Sequence, residues 1–88
     1  MSSVAIDAVL NYLCRHKSVG VFRLVDDVAK TKEVRQALRL EHAPAPGTQE
    51  WWRVYHAVMD AVRKLEAHKL VKYLSDAGVV NWTAGGCA

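Results

Sequence analysis

The chain has only two cysteines, Cys14 and Cys87, which are too few for a disulfide framework of the kind that supports small secreted domains. Cys14 lies in an apolar segment, so we expect it to be a small buried hydrophobic residue and not a reactive thiol. Cys87 lies in a Gly-Gly-Cys-Ala end, within a tail of residues 84–88 that we expect to be flexible. No disulfide is predicted.

Long apolar runs are also lacking. No segment approaches the roughly 18–20 apolar residues that span a bilayer. The first residues lack the basic start and apolar stretch of a signal peptide. We therefore expect a cytoplasmic protein with no membrane partner. Amides are scarce, with two asparagines and two glutamines, and this scarcity favours a thermophilic source.

The sequence offers little for catalysis. It has no glycine-rich phosphate loop and no nucleophile with a base nearby. The run Cys14-Arg15-His16 and the pair of His56 and Asp60 supply fewer ligands than zinc requires. A chain of 88 residues forms one core and has little room for a cleft. We expect no enzymatic activity, no cofactor, no metal and no small-molecule substrate.

What the chain has is an ordinary globular composition with an excess of positive charge. Hydrophobic residues make up 51% and charged residues 24%, values that exclude a disordered chain. The formal net charge is +3, which is compatible with a nucleic-acid partner without requiring one. We expect a single domain over residues 1–88.

Hydrophobic periodicity divides the chain into helices and strands. A period near 3.6 predicts helices over residues 3–17, 24–40 and 49–68. The second helix is expected to kink or break near Thr31, because its two halves bury different faces. A short strand is predicted over 19–22 and a β-hairpin over 70–83, after a loop with two prolines at 41–47.

The third predicted helix has the clearest division between an apolar and a polar face. Thr48 is placed to cap its first turn. Its apolar arc and that of the first helix predict a common core that includes Leu13, Val58, Val62 and Leu65.

This order of elements resembles the winged helix-turn-helix superfamily. Residues 61–84, AVRKLEAHKLVKYLSDAGVVNWTA, carry the likeness most clearly. Leu65, His68-Lys69 and Leu70-Val71 match the phrase that leads from a recognition helix into the wing, and Trp82 resembles the aromatic of the returning strand. Residues 21–30, VFRLVDDVAK, are similar to the family's short strand and second helix. The resemblance implies an α+β, mostly helical fold with three helices and a small C-terminal β-hairpin wing.

The same resemblance implies that the outer face of the third helix enters a DNA major groove. Its candidate contact residues are Arg53, His56, Asp60, Arg63 and Lys64, although an amphipathic helix needs a solvated face in any case. A second basic strip is formed by Lys32, Arg35 and Arg39. Two further lysines, Lys69 and Lys72, flank the wing and are candidates for phosphate contact.

Two functions follow as hypotheses. The first is a DNA-binding regulator or chromatin-associated protein that binds duplex DNA as a homodimer, with Val4, Ala8, Tyr12 and Trp52 as exposed apolar residues for the subunit contact. The second is a winged-helix protein-interaction module inside a larger transcription, replication or other assembly. Compensation of the third helix's positive charge by neighbouring acids would favour the second function.

Overall fold

The computed structural model describes residues 2–85 and Cys87, and these residues form four helices and one antiparallel sheet. In chain order the elements are α1 (Ser2–His16), β1 (Ser18–Gly20), α2 (Val21–Ala29), α3 (Lys32–Ala37), α4 (Gln49–Ala67), β2 (Val71–Leu74) and β3 (Val79–Trp82). The strands lie in the order β1-β3-β2. The expected α+β class is confirmed.

The core lies where α1, α2 and α4 pack together against the inner face of the sheet. Leu13, Val58 and Val62 are fully buried and Leu65 is 3% exposed, so the predicted core is confirmed. The sheet adds Val80, which pairs with Val19 on one side and Tyr73 on the other. No helix among the described residues has the length and apolar character needed to cross a membrane.

The third predicted helix and the hairpin are confirmed with small shifts at their ends. The helix is α4, and Thr48 caps it as expected, since the Trp51 amide donates to Thr48 Oγ1 at 3.2 Å. The hairpin is β2 and β3, joined through a turn that contains Gly78 with φ of 64°. Glycine adopts this left-handed conformation without a steric penalty.

The predicted strand over 19–22 is wrong in its second half. Strand β1 ends at Gly20, and Val21 and Phe22 begin α2. Val21 is buried with Leu24, Val25 and Val28, a spacing that places all four on one helical face. The helical period could not be recognised in the sequence, because Val21 also belongs to the β-branched run that predicted the strand.

The predicted helix over 24–40 is two helices, so the fold has four helices where three were expected. Helix α2 ends at Ala29, and α3 runs only from Lys32 to Ala37. Thr31 is the residue before α3, but its side chain does not cap that helix; its hydroxyl donates to the Val28 carbonyl at 2.8 Å. The break lets α2 and α3 bury different faces, with Val34 turned into the core.

Two residues of the tail that was expected to be flexible, Gly85 and Cys87, contact the rest of the fold. The Cys14 and Cys87 sulfurs form a disulfide that links the end of the chain to α1. The Gly85 carbonyl accepts hydrogen bonds from Lys17 Nζ and from Trp82 Nε1. Cys14 is buried as predicted, but as half of a crosslink between residues 73 positions apart, which no local pattern could indicate. Gly86 and Ala88 lie outside the described residues.

Candidate nucleic-acid interface

The outer face of α4 presents the side chains that the sequence pattern assigned to it. Arg53, His56, Asp60, Arg63 and Lys64 are all exposed. They lie opposite Val54, Val58 and Val62, which are fully buried. Lys64 Nζ lies 3.1 Å from Asp60 Oδ2, one helical turn away, so this lysine has an acidic partner.

Arg53 has a structural contact that the sequence did not indicate. Its Nη2 donates to the Leu38 carbonyl at 3.1 Å and so ties α4 to the segment that leaves α3. Arg35 acts on the same segment, since its Nη1 donates to the Glu41 carbonyl at 3.3 Å. Arg35 is half-buried, and its Nε is buried with no hydrogen-bond partner among the described residues. Both arginines therefore hold the connection between α3 and α4 in place.

The second basic strip does not form a single helical face. Lys32 is exposed at the start of α3, whereas Arg39 lies beyond the end of that helix, with φ of 59°. The Leu40 amide donates to the Arg35 carbonyl at 2.8 Å and the Arg39 amide to the Gln36 carbonyl at 3.1 Å. This pair of bonds is a Schellman motif, which normally places glycine at the left-handed position.

The wing lysines occupy two different settings. Lys69 follows α4 with φ of 62°, and the bonds from the Leu70 amide to the Leu65 carbonyl and from the Lys69 amide to the Glu66 carbonyl form a second Schellman motif. Lys72 lies on β2 opposite Asn81 and is exposed. Both cations therefore lie where α4 passes into the hairpin.

The salt bridges are unevenly distributed over the described residues. Lys64 is the one candidate cation in an ion pair. The other two pairs are Arg23 with Asp27 and Lys30 with Asp26, and all four of these residues belong to α2 or its C-terminal cap. The acids thus pair with cations on α2, away from most of the candidate cations.

The formal charge of α4 itself is balanced. Arg53, Arg63 and Lys64 are matched in number by Glu50, Asp60 and Glu66. Only Asp60 lies within ion-pair distance of a cation. The Glu66 carboxylate instead accepts a bond from the Tyr73 amide at 3.0 Å and so attaches α4 to the wing. The compensation of positive charge on this helix is partial.

The apolar residues expected at a subunit contact divide into two groups. Val4, Ala8 and Tyr12 are half-buried and pack against the core. They line an open groove of about 540 Å³ beside Val28 and Thr31, so they are less exposed than was expected. Trp52, in contrast, is exposed as expected.

Sequence reasoning missed a second exposed aromatic residue, Phe22, because it was assigned to a strand. Phe22 is 63% exposed and Trp52 is 41% exposed, and their ring centroids lie 6.5 Å apart. The adjacent residues Trp51 and Trp52 indicated that one ring is exposed, because neighbouring residues on a helix point in different directions. The signal for Phe22 would have been the helical spacing of Val21, Leu24 and Val28.

The described residues contain no group of three or more histidine, cysteine, aspartate or glutamate side chains that could hold a metal ion. A second concavity, of about 470 Å³, is lined by Arg39, Arg53 and the proline loop together with Glu41 and Glu50. Because both basic and acidic side chains line this concavity, its charge does not indicate a particular kind of ligand.

Comparison with known proteins found no match among family models, curated proteins or solved structures.

Proposed function

We propose that this chain is a DNA-binding protein of winged-helix type, acting as a transcriptional regulator or a chromatin-associated factor. The order of elements supports this proposal. Helices α1, α2 and α4 form the core, β1 joins the sheet edge, and α4 leads directly into the β2–β3 hairpin. In winged-helix proteins the helix before the hairpin is the one that enters the major groove.

The observation that carries the proposal is the set of exposed cations without an acidic partner on α4 and beyond both of its ends. Arg63 lies on α4, Lys69 and Lys72 follow it, and Lys32 and Arg39 precede it. Among the described residues none of these five forms a salt bridge. Cations that remain unpaired in the free protein can neutralise phosphates without first breaking an internal pair.

The length of α4 explains how these groups could divide their roles. Its 19 residues make it about 28 Å long, which exceeds the roughly 12 Å width of the major groove. A helix lying in the groove would bring groups beyond both of its ends near the phosphate backbones. Lys69 and Lys72 beyond the C-terminal end, and Arg39, which lines a concavity with Glu50 and Arg53 at the N-terminal end, would contact phosphates. Lys32, at the start of α3, is a further candidate. Arg63 and His56, between the ends, would reach base edges.

Arg53 and Arg35 have a different part in this arrangement. Their bonds to the Leu38 and Glu41 carbonyls hold the connection between α3 and α4, so they position the N-terminal phosphate contacts. Arg53 keeps further donors for DNA, because a guanidinium group carries five N–H donors.

The proposal is tested by titrating the protein into a labelled random-sequence duplex at several salt concentrations and measuring fluorescence anisotropy. Binding that weakens as salt rises, with a log–log slope of about −3 to −5, is expected if four or five phosphates are neutralised. Absence of salt-dependent binding at low ionic strength would contradict the proposal.

A second candidate function is a protein-interaction module, and the charge balance of α4 favours it. Three acids accompany three cations on this helix, and Asp60 lies at the centre of the outer face. An acidic group there would repel a phosphate backbone. This second function would be supported if the protein has no affinity for duplex DNA and if replacing Asp60 and Arg63 abolishes its binding to a protein partner.

A further inference from the structure

Four aromatic rings cluster where the start of α2 meets the first turns of α4. Phe22 lies with its ring centroid 5.8 Å from that of Trp51 and 6.3 Å from that of Tyr55. Trp52 packs edge-to-face against Trp51 at 4.9 Å and against Tyr55 at 5.0 Å. Trp51 is buried beneath the others. We call Phe22, Trp52 and Tyr55, which reach solvent, the aromatic patch.

The aromatic patch contains the two most exposed large hydrophobic side chains among the described residues. The large hydrophobic side chains classed as exposed are Phe22, Trp52 and Leu74, and two of the three belong to the patch. Phe22 contributes little to the core at 63% exposure, so its position in the fold does not require an aromatic ring. Contiguous exposed aromatic surface on a small domain marks a contact with another molecule.

The charges on the α2 side of the patch are balanced, and this balance favours a protein as the molecule that binds. Arg23, next to Phe22, lies 3.5 Å from Asp27, and Lys30 lies 3.4 Å from Asp26. Helix α2 and its cap therefore present two cations and two anions in pairs. A nucleic acid gains no net attraction from such a rim, whereas a protein surface with the same mixture of charges is complementary to it.

We propose that the aromatic patch is the centre of a two-fold interface with a second copy of this chain. A two-fold contact brings the same patch of each copy together, so ring meets ring, and a rim carrying both signs can pair with itself. Phe22 and Trp52 together expose on the order of 200 Å² of apolar surface. A standard interface needs about 800 Å² from each partner, with an apolar centre inside a polar rim. The patch has the size of such a centre.

The proposed dimer leaves Arg63, Lys69 and Lys72 accessible, whereas Arg53 directly follows Trp52 and the His56 ring centroid lies 5.6 Å from that of Tyr55, at the edge of the patch. Trp52 lies 11 residues before Arg63 on α4, which corresponds to about 16 Å along the helix. Lys69 and Lys72 lie farther still. The inference rests on the patch and its rim alone, so it holds or fails independently of DNA binding.

The test is the molar mass in solution, measured by sedimentation equilibrium without nucleic acid over about 1–200 µM protein. The wild-type chain is expected to show a mass of twice 9.8 kDa at the upper concentrations. The double variant Phe22→Ala/Trp52→Ala is expected to raise the dimer dissociation constant about 100-fold or more, because it removes both central anchors. The matched control is Leu74→Ala, which removes the third exposed hydrophobic side chain, on the strand farthest from β1, and should leave the mass unchanged.

A monomeric wild type over the whole range would overturn the proposal, and so would a double variant that stays dimeric. Circular dichroism shows whether the double variant is folded; if it is not, the single variant Phe22→Glu decides, since it places a charge at an exposed position. Phe22→Glu should be folded and monomeric, and a dimeric Phe22→Glu would contradict the interface. A monomeric wild type whose affinity for single-stranded oligonucleotide falls in the double variant would assign the patch to nucleobases and overturn the dimer.

Discussion

The Tyr12 hydroxyl donates a hydrogen bond to Asp27 Oδ2 at 2.6 Å and so joins α1 to α2. Arg23 Nε lies 3.5 Å from the same carboxylate oxygen. The bond from Tyr12 is the main cause that holds the pKa of Asp27 below its ordinary value of 3.8. Burial, followed by the same bond, raises the pKa of Tyr12 above 10.0. The hydrogen bond between Tyr12 and Asp27 therefore stabilises the fold at pH values above the pKa of Asp27 and below the pKa of Tyr12.

We expect Tyr12→Phe to lower the free energy of unfolding by about 1–2 kcal/mol at neutral pH, since it removes a partly buried bond to a charged acceptor. Because the pKa of Asp27 is lowered on folding, the stabilisation by its charged form is present above its unfolded pKa and is lost as pH falls through the folded value. Urea unfolding of both proteins should show a difference that narrows below about pH 4. A difference that stays constant down to pH 2 would mean that the charge of Asp27 does not matter.

Leu65 packs at the C-terminal end of α4 and is 3% exposed. Leu65→Ala should lower the free energy of unfolding by about 2–5 kcal/mol, because it leaves a cavity among residues that relax only in part. Leu74→Ala, at 36% exposure, should cost less than about 1 kcal/mol in the same urea titration. Equal effects of the two substitutions would show that the helical register of α4 is wrong.

The disulfide between Cys14 and Cys87 closes a loop over a separation of 73 residues. A crosslink of this length restricts the unfolded chain by about 4 kcal/mol in the chain-entropy account. Cys87→Ser, which changes the exposed partner, should therefore lower stability by about 2–4 kcal/mol under oxidising conditions. Unfolding with and without reductant measures the effect, and the reductant should leave the variant unchanged. Free thiols in the purified wild-type protein, with no response to reductant, would contradict this prediction.

The substitution Lys69→Gly is expected to change protein stability and DNA binding in opposite directions. The φ of 62° at Lys69 costs about 1 kcal/mol for a non-glycine residue, so Lys69→Gly should raise the free energy of unfolding by up to about 1 kcal/mol. The same change removes a proposed phosphate contact and should reduce the log–log salt slope by about one. Lys17→Gly is the matched control: it removes a cation at φ of 67° at the end of α1 that is not a proposed phosphate contact and whose Nζ donates to the Gly85 carbonyl, and it should leave the slope unchanged. A Lys69→Gly protein that binds duplex DNA like the wild type would remove Lys69 from the interface.

Local patterns predicted the parts of this fold that depend on neighbours in sequence. Helix α4, its cap at Thr48, the hairpin and the burial of Leu65 all follow from periodicity and turn chemistry. The split of the middle helix was visible as two buried faces, but the end of α3 at Ala37 was not, because Leu38 to Leu40 keep an apolar spacing. Val21 was assigned to a strand because a short β-branched run carries no period of its own.

In the candidate site, too, only the features that depend on neighbours in sequence could be predicted. Exposure of Arg63, Lys69 and Lys72 could be predicted, since it depends on one helix and one turn. The bonds of Arg53 and Arg35 to the connection between α3 and α4 depend on the path of residues 38–48, which the sequence does not determine locally. The disulfide and the contact of Phe22 with Trp52 join residues far apart in the chain, so they became visible only in the fold.

In the proposed function, α4 and the groups at its ends bind duplex DNA through cations that form no salt bridge among the described residues. The most direct measurement compares two variants that each lose two positive charges, Arg63→Gln/Lys72→Gln in the proposed interface and Arg23→Gln/Lys30→Gln in the pairs on α2. Anisotropy titrations of one duplex at several salt concentrations should show lower affinity and a slope reduced by about one for the first variant, because Lys72 is its phosphate contact, and a nearly unchanged slope for the second. Equal losses in both variants would mean that net charge alone holds the DNA, and an effect confined to the α2 variant would place the DNA on a different face of the protein.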